Sequence, residues 1–287
     1  MSTYRFRHSI CNEVYHAGSQ AWSFAAACKS IRKIGYEGIE IAPFTLNEYP
    51  ATISQDQRRE YRGIMASEGL DFVGLHWLMV APKGLHVTTP DAALREKSWQ
   101  HIRDLIDLCA DLASHRPHDS IMVFGSPQQR TSVGGSSLEE ANKRYAEGLA
   151  SVAPHAAGRG VTILAEALPS SDCDVMNTVA EAADIVRSIG SPGVRTMFDS
   201  HNAADETEPH AAIVDRYFDL IRHIHVNEMD GKHPSKGNYE FKPIFEVLRR
   251  RGYQGWISLE AFDFSFGAET IASESLRHLE RVIGQLG

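Results

Sequence analysis

Cysteine is scarce in this chain: four residues in 287, Cys11, Cys28, Cys109 and Cys173, with no C-x-x-C spacing. That argues against a structural zinc knot and fits a reducing cytoplasm. Long apolar runs are missing too. None approaches the ~20 residues that cross a bilayer, and the stretch from Met1 to Arg7 lacks the apolar core of a secretory signal. Positive charge is not in excess. With 29 Lys and Arg against 37 Asp and Glu, the net charge is −8, which counts against a general binder of nucleic acid or anionic membrane. There is no G-x-G-x-x-G, no P-loop, and no linker or low-complexity stretch. The expectation is a cytoplasmic protein of one domain spanning residues 1–287.

What is present is a β/α alternation repeated eight times. The expected strands are 6–14, 38–42, 72–77, 120–124, 161–166, 194–199, 223–228 and 256–260. The expected helices are 21–34, 55–68, 91–112, 138–157, 177–189, 209–220, 243–251 and 273–286. Gly35 and Gly69 stop the first two helices as C-caps. Leu94, Trp99, Ile102, Leu105, Ile106, Leu108 and Cys109 form an apolar stripe at helical spacing. Two longer irregular stretches, 78–89 and 125–137, follow strands three and four. Strands alternating with helices imply parallel pairing and right-handed crossovers. Eight such units without a phosphate-binding fingerprint predict a closed (β/α)8 TIM barrel, for which ~250 residues is typical.

Four successive strands end on potential metal ligands: Glu166, Asp199, His225 and Glu260. In a barrel the carboxyl ends of adjacent strands are neighbours, and active sites lie there. Taken singly, a strand-end Glu is usually solvated and a strand His is usually a satisfied core residue. Together, three carboxylates and an imidazole suit Mn²⁺, Mg²⁺ or Co²⁺, with Zn²⁺ less well matched.

The segments Gly35–Ile41, Ala165-Glu166 with Asn177-Thr178, Phe198–Asn202, His223–Glu228 and Gly252–Glu260 resemble the xylose-isomerase-like TIM-barrel superfamily. The resemblance is to its sugar isomerase/epimerase branch, which contains the D-tagatose and D-psicose 3-epimerases. It implies a divalent metal, Mn²⁺ first, on Glu166, Asp199, His225 and Glu260, and a small sugar as partner. It also implies Glu166 and Glu260 as an acid/base pair that moves a proton next to a carbonyl, inverting a centre or shifting the carbonyl. Substrate contacts would come from His76, Trp77, Asp172, His201 and Lys232, and from Glu40 either directly or by orienting a ligand. Trp77 would offer a flat face to a sugar ring. His201 lies two residues after Asp199, whereas the epimerases place their histidine three after. Their arginine beyond the His-Val-x-Glu strand is absent, and Lys232 or His233 is the nearest replacement. Arg130 either meets an anionic group or faces solvent.

Other readings stay open. The same metal and base would serve dehydration or eliminative cleavage of a 3-keto-glycoside. An endonuclease-IV-like nuclease shares the barrel but needs further histidines and a surface suited to DNA. A non-catalytic carbohydrate-binding barrel has no need of two opposed carboxylates. Pairing of copies through outer helices or long loops is compatible with any of these.

Overall fold

The computed structural model describes residues 5–16, 22–113 and 120–286. Eight strands, β1 (Arg7–Cys11), β2 (Gly38–Ile41), β3 (Asp71–Leu75), β4 (Ser120–Phe124), β5 (Val161–Ala165), β6 (Val194–Asp199), β7 (Ile221–Val226) and β8 (Trp256–Leu259), run parallel in sequence order. The sheet closes where β1 pairs with β8. The closed (β/α)8 barrel is therefore as expected.

Around it lie α1 (Phe24–Ile34), α2 (Gln55–Glu68), α3 (Ala92–Leu112), a short α4 (Pro127–Arg130), α5 (Leu138–Gly158), α6 (Val179–Ile189), α7 (His210–Arg216), α8 (Lys242–Arg250) and α9 (Ala268–Gly284). Their starts follow local chemistry. Ser54, Ser137 and Thr178 each accept from the backbone three residues on, and Gln57, Glu140 and Glu181 return the bond. The first helix begins at Phe24, capped by Ser23, rather than at Ala21, which lies outside the described residues. The last begins at Ala268, before the expected Ser273. The first strand ends at Cys11, because Asn12–Tyr15 tightens into a 3₁₀ turn. The stretch 125–137 carries the α4 turn, while 78–89 holds neither helix nor strand.

Two apolar layers hold the barrel. One fills the space between strands and helices. The other, Val73, Ile121, Val123, Leu164, Met197 and Trp256, forms a separate cluster of strand residues. Gly38 permits this second packing, since a Cβ there would meet Val73 Cγ2 at 2.7 Å and the Trp256 ring at 2.9 Å. A buried polar layer joins β1, β2, β7 and β8. Ser258 donates to Glu40 Oε2 at 2.7 Å, His223 Nε2 donates to the same oxygen at 2.8 Å, and Ser9 pairs with Ser258. Among the described residues no helix is long and apolar enough to cross a membrane.

Candidate metal centre and active site

The quartet converges at the carboxyl end of the barrel. Glu166 and Glu260 stand one residue beyond β5 and β8, Asp199 ends β6, and His225 is the penultimate residue of β7. Asp199 and His225 are register partners across the β6–β7 ladder. One donor atom from each of the four lies within 4.8 Å of every other, and all four side chains are buried. His225 Nδ1 donates to Glu260 Oε2 at 2.9 Å and lies 3.4 Å from Asp199 Oδ2. Its Nε2 is taken by Glu40 Oε1 at 3.1 Å. Glu40 thus turns the other ring nitrogen toward the carboxylates, the arrangement in which an outer carboxylate orients a metal-binding histidine.

The remaining bonds fix the carboxylates from the outside. Asp199 Oδ1 accepts from the backbone N–H of His201 at 2.7 Å and of Asn202 at 3.0 Å. Asp199 Oδ2 is buried and has no hydrogen-bond partner. Asn202 Nδ2 donates to Glu166 Oε1 at 3.0 Å. A side chain at Gly125 would run into Glu166 Oε2, so glycine keeps that oxygen's space open. Trp77 Nε1 donates to Glu260 Oε1 at 2.8 Å. It does so from a left-handed backbone at φ 51, an uncommon state for a bulky residue.

Electrostatics match this crowding. Burial, followed by the Glu260 and Asp199 charges, pushes Glu166 up to about 8. Burial raises Glu260 as well, against the opposing pull of His225. Burial would lower His225, but Glu40 and Glu260 outweigh it and hold the imidazole well above its ordinary value. For Glu40 burial acts upward, yet His225 and His223 keep it well below the usual carboxylate range. Like charges forced together without water retain protons. A cation among these donors would displace them. The unpartnered Asp199 Oδ2, the oxygen-rich donor set and the histidine oriented from outside all fit a divalent metal.

The other expected residues fall into place around the quartet. His76 is buried, and its Nε2 donates to Glu13 Oε2 at 2.7 Å. The Trp77 indole lies near-parallel to Phe44 and Phe262, at 5.9 and 6.1 Å between centroids, and it is the indole edge that reaches Glu260. His201 turns back onto the β7–α8 loop, donating from Nδ1 to Met229 O at 2.9 Å and packing on Phe262. Asp172 is exposed on the β5–α6 loop beside Ser171. Lys232 pairs with Asp230 at 2.5 Å, and both side chains are partly exposed. Arg130 corrects the expectation of a solvent-facing side chain, because it is fully buried and close enough to Glu166 for their charges to act on each other. Its guanidinium donates to the carbonyls of Phe124 at 3.1 Å, Glu166 at 2.7 Å and Met176 at 3.4 Å, clamping the end of β5.

Sequence reasoning passed over Glu13, Cys11 and Asn202. For Asn202 a signal existed, since it occupies the position three after Asp199 where a histidine was sought. For Cys11 and Glu13 there was none beyond their places at the end of β1 and just after it.

A closed parallel barrel with a buried carboxylate–imidazole cluster at its carboxyl end defines a class of (β/α)8 proteins. Residues 28–282 match the family described as xylose isomerase-like TIM barrel, and the chain belongs to that family. It is similar to D-psicose 3-epimerase of Agrobacterium fabrum, 24% identical over 257 residues, covering 86% of this chain and 83% of the relative. It is also similar to a probable ketose 3-epimerase of Synechocystis, 24% identical over 240 residues, covering 81% and 76%. Among solved structures, 3-keto-D-glucoside 4-epimerase from E. coli superposes with a TM-score of 0.81 at 18% identity, over 96% of this chain and all (100%) of the other.

Proposed function

We propose that the protein is an isomerase-class enzyme, a metal-dependent epimerase or isomerase of a ketose or keto-sugar. The observation that carries this reading is the pair Glu166 and Glu260. Two buried carboxylates face one donor cluster and are held by different partners, Asn202 on one side and Trp77 on the other. Names of relatives support the class, since they include psicose, ketose and fructoselysine 3-epimerases.

Glu166, Asp199, His225 and Glu260 would hold the metal, with Mn²⁺ as the best match to the donor set. When bound, a divalent ion polarises a carbonyl and stabilises the charge of an ene-diolate. Glu166 or Glu260 takes the proton from the carbon next to the carbonyl at a carboxylate oxygen. The opposite carboxylate delivers a proton to the other face, which inverts the centre. Delivery to the adjacent carbon gives aldose–ketose isomerisation instead. Asn202 and Trp77 keep the two carboxylates aimed. Glu40 fixes the ring of His225.

The test is proton exchange in D₂O, followed by NMR, for the Mn²⁺-reconstituted and metal-free protein with ketoses, ketose phosphates and 3-keto-glycosides. Metal-dependent washout of a proton next to a carbonyl, with an epimer or isomer as product, is expected. An eliminated product would move the assignment to a lyase. Stoichiometric metal without exchange of any compound would contradict the proposed activity on these sugars.

A further inference from the structure

The features that mark the quartet recur in a second group that shares Glu260 with it and whose Cys11 Sγ lies 3.9 Å from His225 Nε2. Cys11 ends β1, Glu13 follows in the 3₁₀ turn, and His76 stands one residue beyond β3. One donor atom from each of these and one from Glu260 lie mutually within 4.8 Å, the same bound that encloses the quartet. Relative exposures are 0% for Cys11, 2% for Glu13, 0% for His76 and 3% for Glu260. Two atoms of this group, Glu13 Oε1 and His76 Nδ1, are buried with no hydrogen bond, as Asp199 Oδ2 is in the quartet, and His76 Nδ1 stands 3.7 Å from Glu40 Oε1. Unsatisfied buried polar atoms are costly and call for an ion or an ordered water.

We propose that Cys11, Glu13, His76 and Glu260 form a second divalent-cation site, which shares Glu260 with the quartet as a bridging carboxylate. Glu260 can serve both sides. Its Oε2 faces His225, and its Oε1 accepts from Trp77 Nε1 yet keeps a second lone pair. Carboxylate-bridged pairs of ions are a recurrent arrangement in catalytic sites. The donor set differs from that of the quartet. One sulfur and one nitrogen beside two carboxylates make it softer, so it favours Zn²⁺ or Co²⁺, where the quartet favours Mn²⁺ or Mg²⁺. Binding would release the Cys11 thiol proton to solvent and leave a metal–thiolate bond. The site requires Glu260 in its observed place but does not depend on the sugar reaction proposed above.

The experiment uses the full chain, stripped with a chelator and titrated with Co²⁺, with bound metal counted and the near-ultraviolet spectrum recorded. The wild type is expected to bind a second equivalent and to develop a thiolate-to-cobalt charge-transfer band. Cys11→Ser should lose the band and the second equivalent while keeping the first. Asp199→Asn should weaken the first equivalent and retain the band. Saturation of the wild type at one equivalent with no charge-transfer band would overturn the proposal, as would a band that survives Cys11→Ser. Should Cys11→Ser fail to fold, the wild-type count and spectrum decide alone. A band seen without any sugar turnover would separate this site from the proposed reaction.

Discussion

The two ends of the barrel are built on opposite plans. At the amino end a cavity of about 810 Å³ opens between Arg7, Thr162, Arg222, His223, Tyr253 and Trp256. At the carboxyl end a void of about 10 Å³ lies beside Glu166, Asp199 and Asn202, toward Val179 and Glu206. The larger cavity is thus remote from the four convergent ligands. The arginines of the larger cavity donate to backbone carbonyls, Arg7 to Gln254 and Arg222 to Asp219 and Ile221, and Arg7 also stacks over Trp256 at 4.5 Å. Their needs are met locally. At the carboxyl end the reverse holds, since buried carboxylates converge and some of their oxygens have no hydrogen-bond partner. Unsatisfied, convergent donors locate chemistry better than empty space does, and a parallel barrel directs them to its carboxyl end.

The comparison breaks most directly at Glu166. Replacing it with Gln keeps the shape and removes the proton acceptor. Metal-dependent proton washout should fall by about 10²–10⁴-fold, while the variant still binds metal through the remaining ligands. NMR exchange and metal analysis on the same sample check both halves. Exchange unchanged in Glu166→Gln would move the base elsewhere.

A second, smaller effect is expected one layer out. Glu40→Gln weakens the hold on His225 Nε2, and loss of such an outer carboxylate commonly costs ~10–100-fold in metal affinity. Competition with a chromophoric chelator measures it. An affinity equal to wild type would mean that the ring is fixed by packing alone.

Much of this is legible in the sequence. The quartet could be read because each ligand closes an apolar strand run, and barrel topology makes successive strand ends neighbours. What could not be read depends on how the chain turns after a strand. Trp77 reaches Glu260 only because its backbone adopts a positive φ, which nothing in the Leu75-His76-Trp77 pattern announces. Arg130 donates to three backbone carbonyls, and a carbonyl partner leaves no trace in residue identity. Asn202 replaces an expected histidine and acts on Glu166 rather than on a ligand beyond the cluster. The early start of α9 follows Gly267 at φ 78, where no side-chain cap exists to read.

The pH dependence of stability sharpens the contrast between loaded and stripped protein. Glu166 rises from the ordinary 4.5 to about 8, so without a cation the native state binds more protons than the unfolded chain. That contribution is fully present below pH 4.5 and is lost as pH climbs through about 8. His225, also raised, acts in the same direction. The Glu166 share of metal-free stability should therefore shrink from pH 6 to pH 8, read as the melting temperature of metal-free protein minus that of metal-free Glu166→Gln, in which the histidines lowered by burial cancel. Metal-loaded protein should show the opposite trend, because its ligands must be deprotonated and binding releases protons. Parallel slopes in the two forms would contradict the assigned cluster.

The smallest effect belongs to the amino mouth. Arg7→Ala removes the contact with Trp256 and should cost ~0.5–1 kcal/mol in chemical denaturation. Turnover and metal content should stay at the wild-type level. A large loss of turnover would show that the two mouths are coupled.

The central claim is that the carboxyl-end quartet holds the metal. Crystals of the Mn²⁺-loaded protein, measured on both sides of the manganese absorption edge, test it most directly. The account predicts an anomalous peak enclosed by Glu166, Asp199, His225 and Glu260. A fully loaded crystal with its manganese elsewhere, and no peak among those four side chains, would contradict it.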